Sequence, residues 1–208
     1  MVFGYAEAIF ALLAVVVFLA ARSRRWLVAG LAAAAASLAR PTGVLLALPI
    51  LIEAVQAFRA EPAATRRVRS VLASGCVVVA PIAGLCAFLG WSARAGEGFL
   101  TPLRIQSSSN LRGGFVPPWT ALSGAFADLR SGDSLGSGLH LVWAIVVIAC
   151  VVAVARRLPV SYTAWAGLSV LVALSAPNLD SFERYAVVTF PVVIGGAILT
   201  ARPRDLFP

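Results

Sequence analysis

Apolar residues run through this chain in long stretches, separated by short polar stretches in which arginine recurs. The first stretch, Val2 to Ala21, ends in "RSRRW"; others cover about Val71 to Trp91, Leu139 to Ala155, Val160 to Ala176 and Arg184 to Ala201. A helix rising ~1.5 Å per residue needs about 20 apolar residues to cross ~30 Å of hydrocarbon, and these runs meet or approach that length. Strands of a transmembrane barrel would alternate apolar and polar positions over about ten residues. The stretch "VVIACVVAVA" does not alternate. The pattern therefore predicts an all-α, polytopic transmembrane helical bundle, one integral membrane domain over residues 1–208.

Between the basic clusters "RSRRW" and "FRAEPAATRRVR" lie the 33 residues from Trp26 to Phe58. If both clusters face the cytoplasm, these residues must leave and return within a tight hairpin, and "ARPTG" is the candidate outer turn. Pro41 opposes helix continuation and disfavours helical geometry at Arg40, while Gly43 permits a turn. Each arm then has about 15 residues and reaches only ~22 Å, which calls for snorkelling flanks or a partly re-entrant course. The layout gives about six to seven membrane segments, seven when both arms are counted.

Residues 92–138 form the one long polar segment, an outer loop on this layout. Within it "PPWTALSGAFADLR" opens on prolines suited to a helix start and spaces Trp119, Leu122, Phe126 and Leu129 by 3, 4 and 3. That spacing predicts a short amphipathic helix lying in the outer interface on this apolar face. "SGDSLGSG" then reads as a turn-rich link. Eleven of the 17 arginines fall on the cytoplasmic side, in keeping with the positive-inside bias. Met1 is then outside, and "MVFGYAEAIF" lacks the basic n-region of a secretory signal.

Composition agrees: 60% of residues are hydrophobic, 12% are charged and the mean hydropathy is +0.91. Soluble domains carry roughly 25% charged residues. All 17 basic residues are arginine, which two causes explain: a coding bias toward arginine and alanine, or a preference for bidentate phosphate contacts. The net charge of +8 does not imply nucleic acid, because it sits in loops between spans. Cys76, Cys86 and Cys150 lie within apolar spans and read as small hydrophobes; the first two, ten positions apart on one helix, are ~15 Å apart and too far for a disulfide. His140 stands alone at the start of a span, without neighbours at ligand spacing, so neither a metal site nor another cofactor is expected.

The layout leaves Glu7, Arg40, Thr42, Arg104, Gln106, Arg112, Asp180, Glu183, Arg184 and Tyr185 on the outer side. Ionisable groups at a membrane bundle cost about 2.5 to 3.5 kcal/mol at its centre and need partners or a ligand. For Arg40 both answers stand: a helix-to-helix salt bridge with Glu7, or a guanidinium that holds a phosphate. In "DSFERYAVVTFP", Glu183 suits a helix start and Tyr185 an interfacial anchor, or Arg184 contacts a ligand. Glu53 reads as structural, paired with Arg59.

The pieces "GYAEAIFALLAVVVFLA", "RRWLVAGLAAAAASLARPTGVLLALPILIEA", "IQSSSNLRGGFVPPW" and "ERYAVVTFP" together resemble the PIG-V-like mannosyltransferases, membrane glycosyltransferases of the GT-C class. The likeness lies in their order: a Tyr-x-Glu start to an early helix, a basic loop with Trp, an Arg-Pro-x-Gly turn, a glutamine-bearing outer loop with a Pro-Trp helix, and a late Arg-Tyr. The resemblance implies a multi-pass cell-membrane enzyme whose donor is a polyprenyl-phosphate sugar, mannose first among the candidates. Arg40 and Thr42 would meet its phosphate, and Gln106, Arg112, Arg184 and Tyr185 would complete the substrate contacts. Such enzymes place a catalytic carboxylate in the first outer loop, which has no counterpart here. The expectation is therefore a C-terminal portion of such an enzyme, or a member in which Glu7 or Glu183 serves as base. Two rivals are a permease that binds an anion at a broken helix, and a scaffold whose arginines only orient and staple helices.

Overall fold

The computed structural model describes residues 3–62, 68–108, 113–132, 137–177, 179 and 182–201, with the side chains of 3–5, 68–74, 106 and 137–138 outside that description. Among the described residues there are ten α-helices, one 3-10 segment and no strand. They fall into two compact units, Met1–Phe99 and Leu100–Pro208.

The first unit contains α1 (Phe3–Arg22), α2 (Trp26–Ala39), the 3-10 segment Pro41–Leu46, α3 (Ala47–Ala60) and α4 (Val68–Arg94). α1 ends in a paired cap: the Arg25 N–H donates to the Ala20 carbonyl at 2.8 Å and the Arg24 N–H to that of Ala21 at 3.0 Å. This geometry puts Arg24 in the left-handed region, at φ 56°, where glycine is usual. α2 packs against both α1 and α4. Its alanine-rich sequence suits that position, since Ala29, Ala33 and Ala36 are wholly buried and small side chains let helix axes approach. Gly84 of α4 lies so close to α2 that a Cβ there would stand 2.3 Å from the Ala34 carbonyl oxygen.

The expected turn at 40–43 is present, with two differences. Arg40 alone leaves the helical region, at φ −150° and ψ 134°, and Pro41 opens the 3-10 segment that runs directly into α3. The second arm is thus the 20 residues Pro41–Ala60, not about 15. Six residues at ~2.0 Å and fourteen at ~1.5 Å give a reach of about 33 Å. Gly43 does not use a glycine-only φ; it is needed because a Cβ would sit 2.5 Å from the Ser37 nitrogen, where the segment folds back on the end of α2.

The second unit contains α5 (Thr101–Gln106), α6 (Pro118–Ser131), α7 (Ser137–Arg157), α8 (Val160–Ala173), α9 (Phe182–Val188) and α10 (Phe190–Thr200). α7 is central and packs on α6, α8, α9 and α10. Its buried stripe of Ala144, Val147 and Cys150 meets Ala166 and Val170 of α8, Phe182 and Ala186 of α9, and Val192 of α10. A Cβ on Gly195 would lie 2.4 Å from the Cys150 carbonyl oxygen, so α10 also rests directly on the α7 backbone.

Three helical runs, counted over fully described residues, are long and apolar enough to cross a membrane: Pro41–Ala60, Gly75–Arg94 and Leu139–Arg157. A fourth arises if α9 and α10 are one span, but they meet at 86°. The expected final pass is therefore broken at Thr189, which lies at φ −85° and ψ 83°, because Pro191 lacks an amide hydrogen and its ring would clash with the carbonyl four residues earlier in a continuous helix. α8 stops at Ala173, short of the expected Ala176. With α2 it is 14 residues long, about 21 Å, and falls short of a bilayer. The chain is an all-helical protein with three to four candidate spans among these residues, consistent with a membrane protein.

A helix forms where the interfacial one was expected, but it packs on another face. Ala121 and Ala125 are buried against the second unit's core, whereas Trp119, Phe126 and Leu129 are exposed; of the expected stripe, Leu122 alone is tucked partly in. The small residues allow close contact with α7, and the large ones are left to the surroundings.

Candidate functional site

Among the described residues, each unit carries an inter-helix charge pair that includes a residue singled out by the sequence. In the first unit, α1 supplies Glu7 and Phe10, and the break after α2 supplies Arg40. Pro41 holds Arg40 extended, while the Arg40 N–H still closes α2 by donating to the Ala36 carbonyl at 2.9 Å. The guanidinium donates from Nη1 to Glu7 Oε1 at 3.4 Å and lies 5.8 Å from the Phe10 ring centroid. The two charged side chains are only 18% and 25% exposed. A carboxylate and an aromatic face thus compensate a cation drawn partly out of solvent, the ring contributing about 1 kcal/mol. Thr42 follows, half-buried in the 3-10 segment. Ser37, one turn before Arg40, is fully buried, and its Oγ has no hydrogen-bond partner among the described residues.

In the second unit, Glu183 stands in the first turn of α9 and its Oε1 meets Nδ1 of His140, near the start of α7. The pair joins residues 43 apart and is part-buried, the side chains being 20% and 31% exposed. His140 is therefore not the solitary histidine that its neighbours in sequence suggest; its carboxylate arrives from another helix. Tyr185 is half-buried against the core cluster and Arg184 is exposed. Between α9 and α10, the Thr189 hydroxyl donates to the Tyr185 carbonyl at 2.9 Å and occupies part of the broken helix's backbone.

At the end of α8 the irregular stretch after Gly113 is pinned: the Val116 N–H donates to the Ser175 carbonyl at 3.1 Å, and Gly113, at φ 77°, rests on Pro177. The result is an open, mainly apolar depression of about 250 Å³ lined by Leu103, Ser107, Gly114, Phe115, Val172 and Ser175. Arg104 is exposed on α5. Arg112, Asp180 and the side chain of Gln106 lie outside the described residues, so their expected roles have no geometry here.

Glu53 is a correction to the sequence reading. It is buried and bridges Arg22 at the end of α1 at 3.6 Å, rather than the Arg59 of its own helix. Side chains six positions apart point to different sides of a helix, whereas α1 and α3 pack together. Comparison with known protein families, with curated proteins and with solved structures finds no match.

Proposed function

We propose that the chain is a portion of a membrane glycosyltransferase of the GT-C kind, using a polyprenyl-phosphate mannose donor. The observation that carries this reading is Arg40: a guanidinium held at a helix break in an apolar unit, restrained by one carboxylate oxygen and a ring face. A phosphate offers such a group a bidentate partner of higher charge than Glu7, so Glu7 acts as a stand-in that keeps Arg40 ordered until the lipid arrives. The turn then faces the outer side of the cell membrane, and Thr42, Gln106, Arg112, Arg184 and Tyr185 are the remaining substrate contacts. The polyprenyl tail stays in the bilayer, beside the exposed apolar faces of the spans.

The test is sugar transfer from polyprenyl-phosphate mannose to a hydroxyl acceptor in membranes holding the wild-type chain or Arg40→Ala, Arg40→Lys and Glu7→Gln. Losing a charge-assisted contact costs about 1.5 to 3 kcal/mol, so Arg40→Ala should bind the donor about ten- to a hundredfold more weakly, with Arg40→Lys between the two. Equal binding and transfer by wild type and Arg40→Ala removes Arg40 from the mechanism.

One observation favours a second reading, an anion permease: the 86° elbow between α9 and α10, since broken helices build transporter sites. Anion uptake by proteoliposomes without any sugar transfer would support it.

A further inference from the structure

The bridge from Arg22 to Glu53 gathers one end of the first unit, because it ties the last turn of α1 to α3. Arg24 and Arg25 lie in the short turn that leads from there into α2, and Arg59 follows Glu53 by ~9 Å along the helix axis. Among the described residues, four arginines therefore share this end with two carboxylates: Glu53, buried beside Arg22, and Glu61, the C-cap of α3. Arg24, Arg25 and Arg59 are exposed, and none of the three has an ion partner among the described residues. Helix ends account for only part of this. Arg22 and Arg59 stand in the last turns of their helices, where the dipole favours a cation. Arg24 holds a φ of 56° where glycine is usual, and Arg25 is the N-cap of α2, at the positive end of that dipole and without a side-chain cap hydrogen bond. Neither place favours an arginine on local grounds, so the charge of both answers something outside the turn.

The flanks of this end name the partner. Leu19, Leu27, Val28, Val55 and Phe58 are exposed, each within about one turn of an arginine, so an apolar shaft runs directly into the basic end. A soluble acidic protein or a nucleic acid would leave that shaft in water. A bilayer covers it with hydrocarbon and sets lipid phosphates against the guanidiniums, which bind them bidentately. We propose that this end of the first unit is a binding face for the headgroups of anionic phospholipids, with Arg24, Arg25 and Arg59 as the phosphate contacts and the bridge from Arg22 to Glu53 as the strut that keeps them together. The inference stands apart from the glycosyltransferase reading, whose donor phosphate belongs to Arg40 at the opposite end of α2.

The experiment uses the full chain in nanodiscs of phosphatidylcholine, with spin-labelled phosphatidylglycerol as the probe and spin-labelled phosphatidylcholine as the reference. Electron spin resonance gives the motionally restricted fraction of each lipid. The wild type should restrict the anionic lipid in preference, and the preference should fade as salt shortens the Debye length from ~8 Å at physiological ionic strength to ~3 Å at about 1 M. One arginine beside an anionic surface contributes a factor of about five, so Arg24→Gln, Arg25→Gln and Arg59→Gln should each lower the preference by up to about fivefold. The triple glutamine variant should abolish it, and the triple lysine variant should keep most of it. Arg156→Gln combined with Arg157→Gln removes two exposed arginines from the end of α7 and should leave the preference at its wild-type value. If that control falls as far as the triple glutamine variant, net charge and not this face attracts the lipid, and the proposal is overturned. A wild-type chain with no preference, or with one indifferent to salt, overturns it too, and neither reading needs a variant to fold. So does displacement of the labelled lipid by glycerol phosphate or polyglutamate at the same anion concentration, which would assign the face to a soluble partner.

Discussion

Arg24 shows how much a single residue can carry. It occupies the left-handed position that closes α1, where an L-residue with a Cβ is disfavoured by about 1 to 2 kcal/mol and glycine is not. Glycine's greater freedom when unfolded takes back roughly half of that, so Arg24→Gly should stabilise the first unit by about 0.5 to 1 kcal/mol, read as a higher thermal midpoint in detergent. An unchanged or lower midpoint would mean that the guanidinium makes contacts worth more than the strain. At this scale the sequence was uneven in what it disclosed. Arg40 stood out because Pro41 and Gly43 flank it, and Glu7 was already its candidate partner. The link from His140 to Glu183 left no trace, because no local period or spacing connects positions 43 apart on separate helices. Glu53 was matched to the nearest arginine in sequence, and the packing of α1 on α3 gave it Arg22 instead.

At the scale of the element, the apolar runs disclosed most of the helices, while the small residues decided how those helices pack. α6 illustrates the difference. A period of hydrophobic bulk points to Trp119, Phe126 and Leu129, yet the buried face is the one carrying Ala121 and Ala125, because only alanines allow α6 to close on α7. An interfacial α6 would set that bulky face at the lipid boundary, where tryptophan is favoured. In a variant keeping Trp119 as its only tryptophan, fluorescence in bilayers should be quenched more by lipids brominated near the headgroup than by lipids brominated near the chain end. Quenching that increases toward the bilayer centre, or no quenching by either, would count against an interfacial α6. The elbow between α9 and α10 was hidden for a related reason: one proline in an otherwise apolar run changes direction without changing hydropathy.

For the molecule as a whole, the division into two compact units has a mechanical meaning. The packing of α2 on α4 is specific to the first, where Gly84 has no room for a side chain. Gly84→Leu forces the backbones apart and should cost about 1 to 3 kcal/mol or more. Hydrogen exchange should then quicken in α2 and α4, with α7 to α10 unaffected, since each unit has its own buried core. Equal acceleration throughout would show that the units unfold as one. The sequence announced a helical membrane protein through its hydropathy, but it gave no sign of this division, which depends on which helices touch.

The 3-10 segment behind Arg40 carries a final implication. Six residues wound at three per turn hold a reserve of length and rotation: rewound at 3.6 per turn, they would be about 3 Å shorter and would turn whatever precedes them by about 120°. Arg40 is fixed to one end of that screw and α3 to the other. A push along α3 is therefore geared to the heading of the guanidinium, so that Arg40 and the far end of α3 share a single thread.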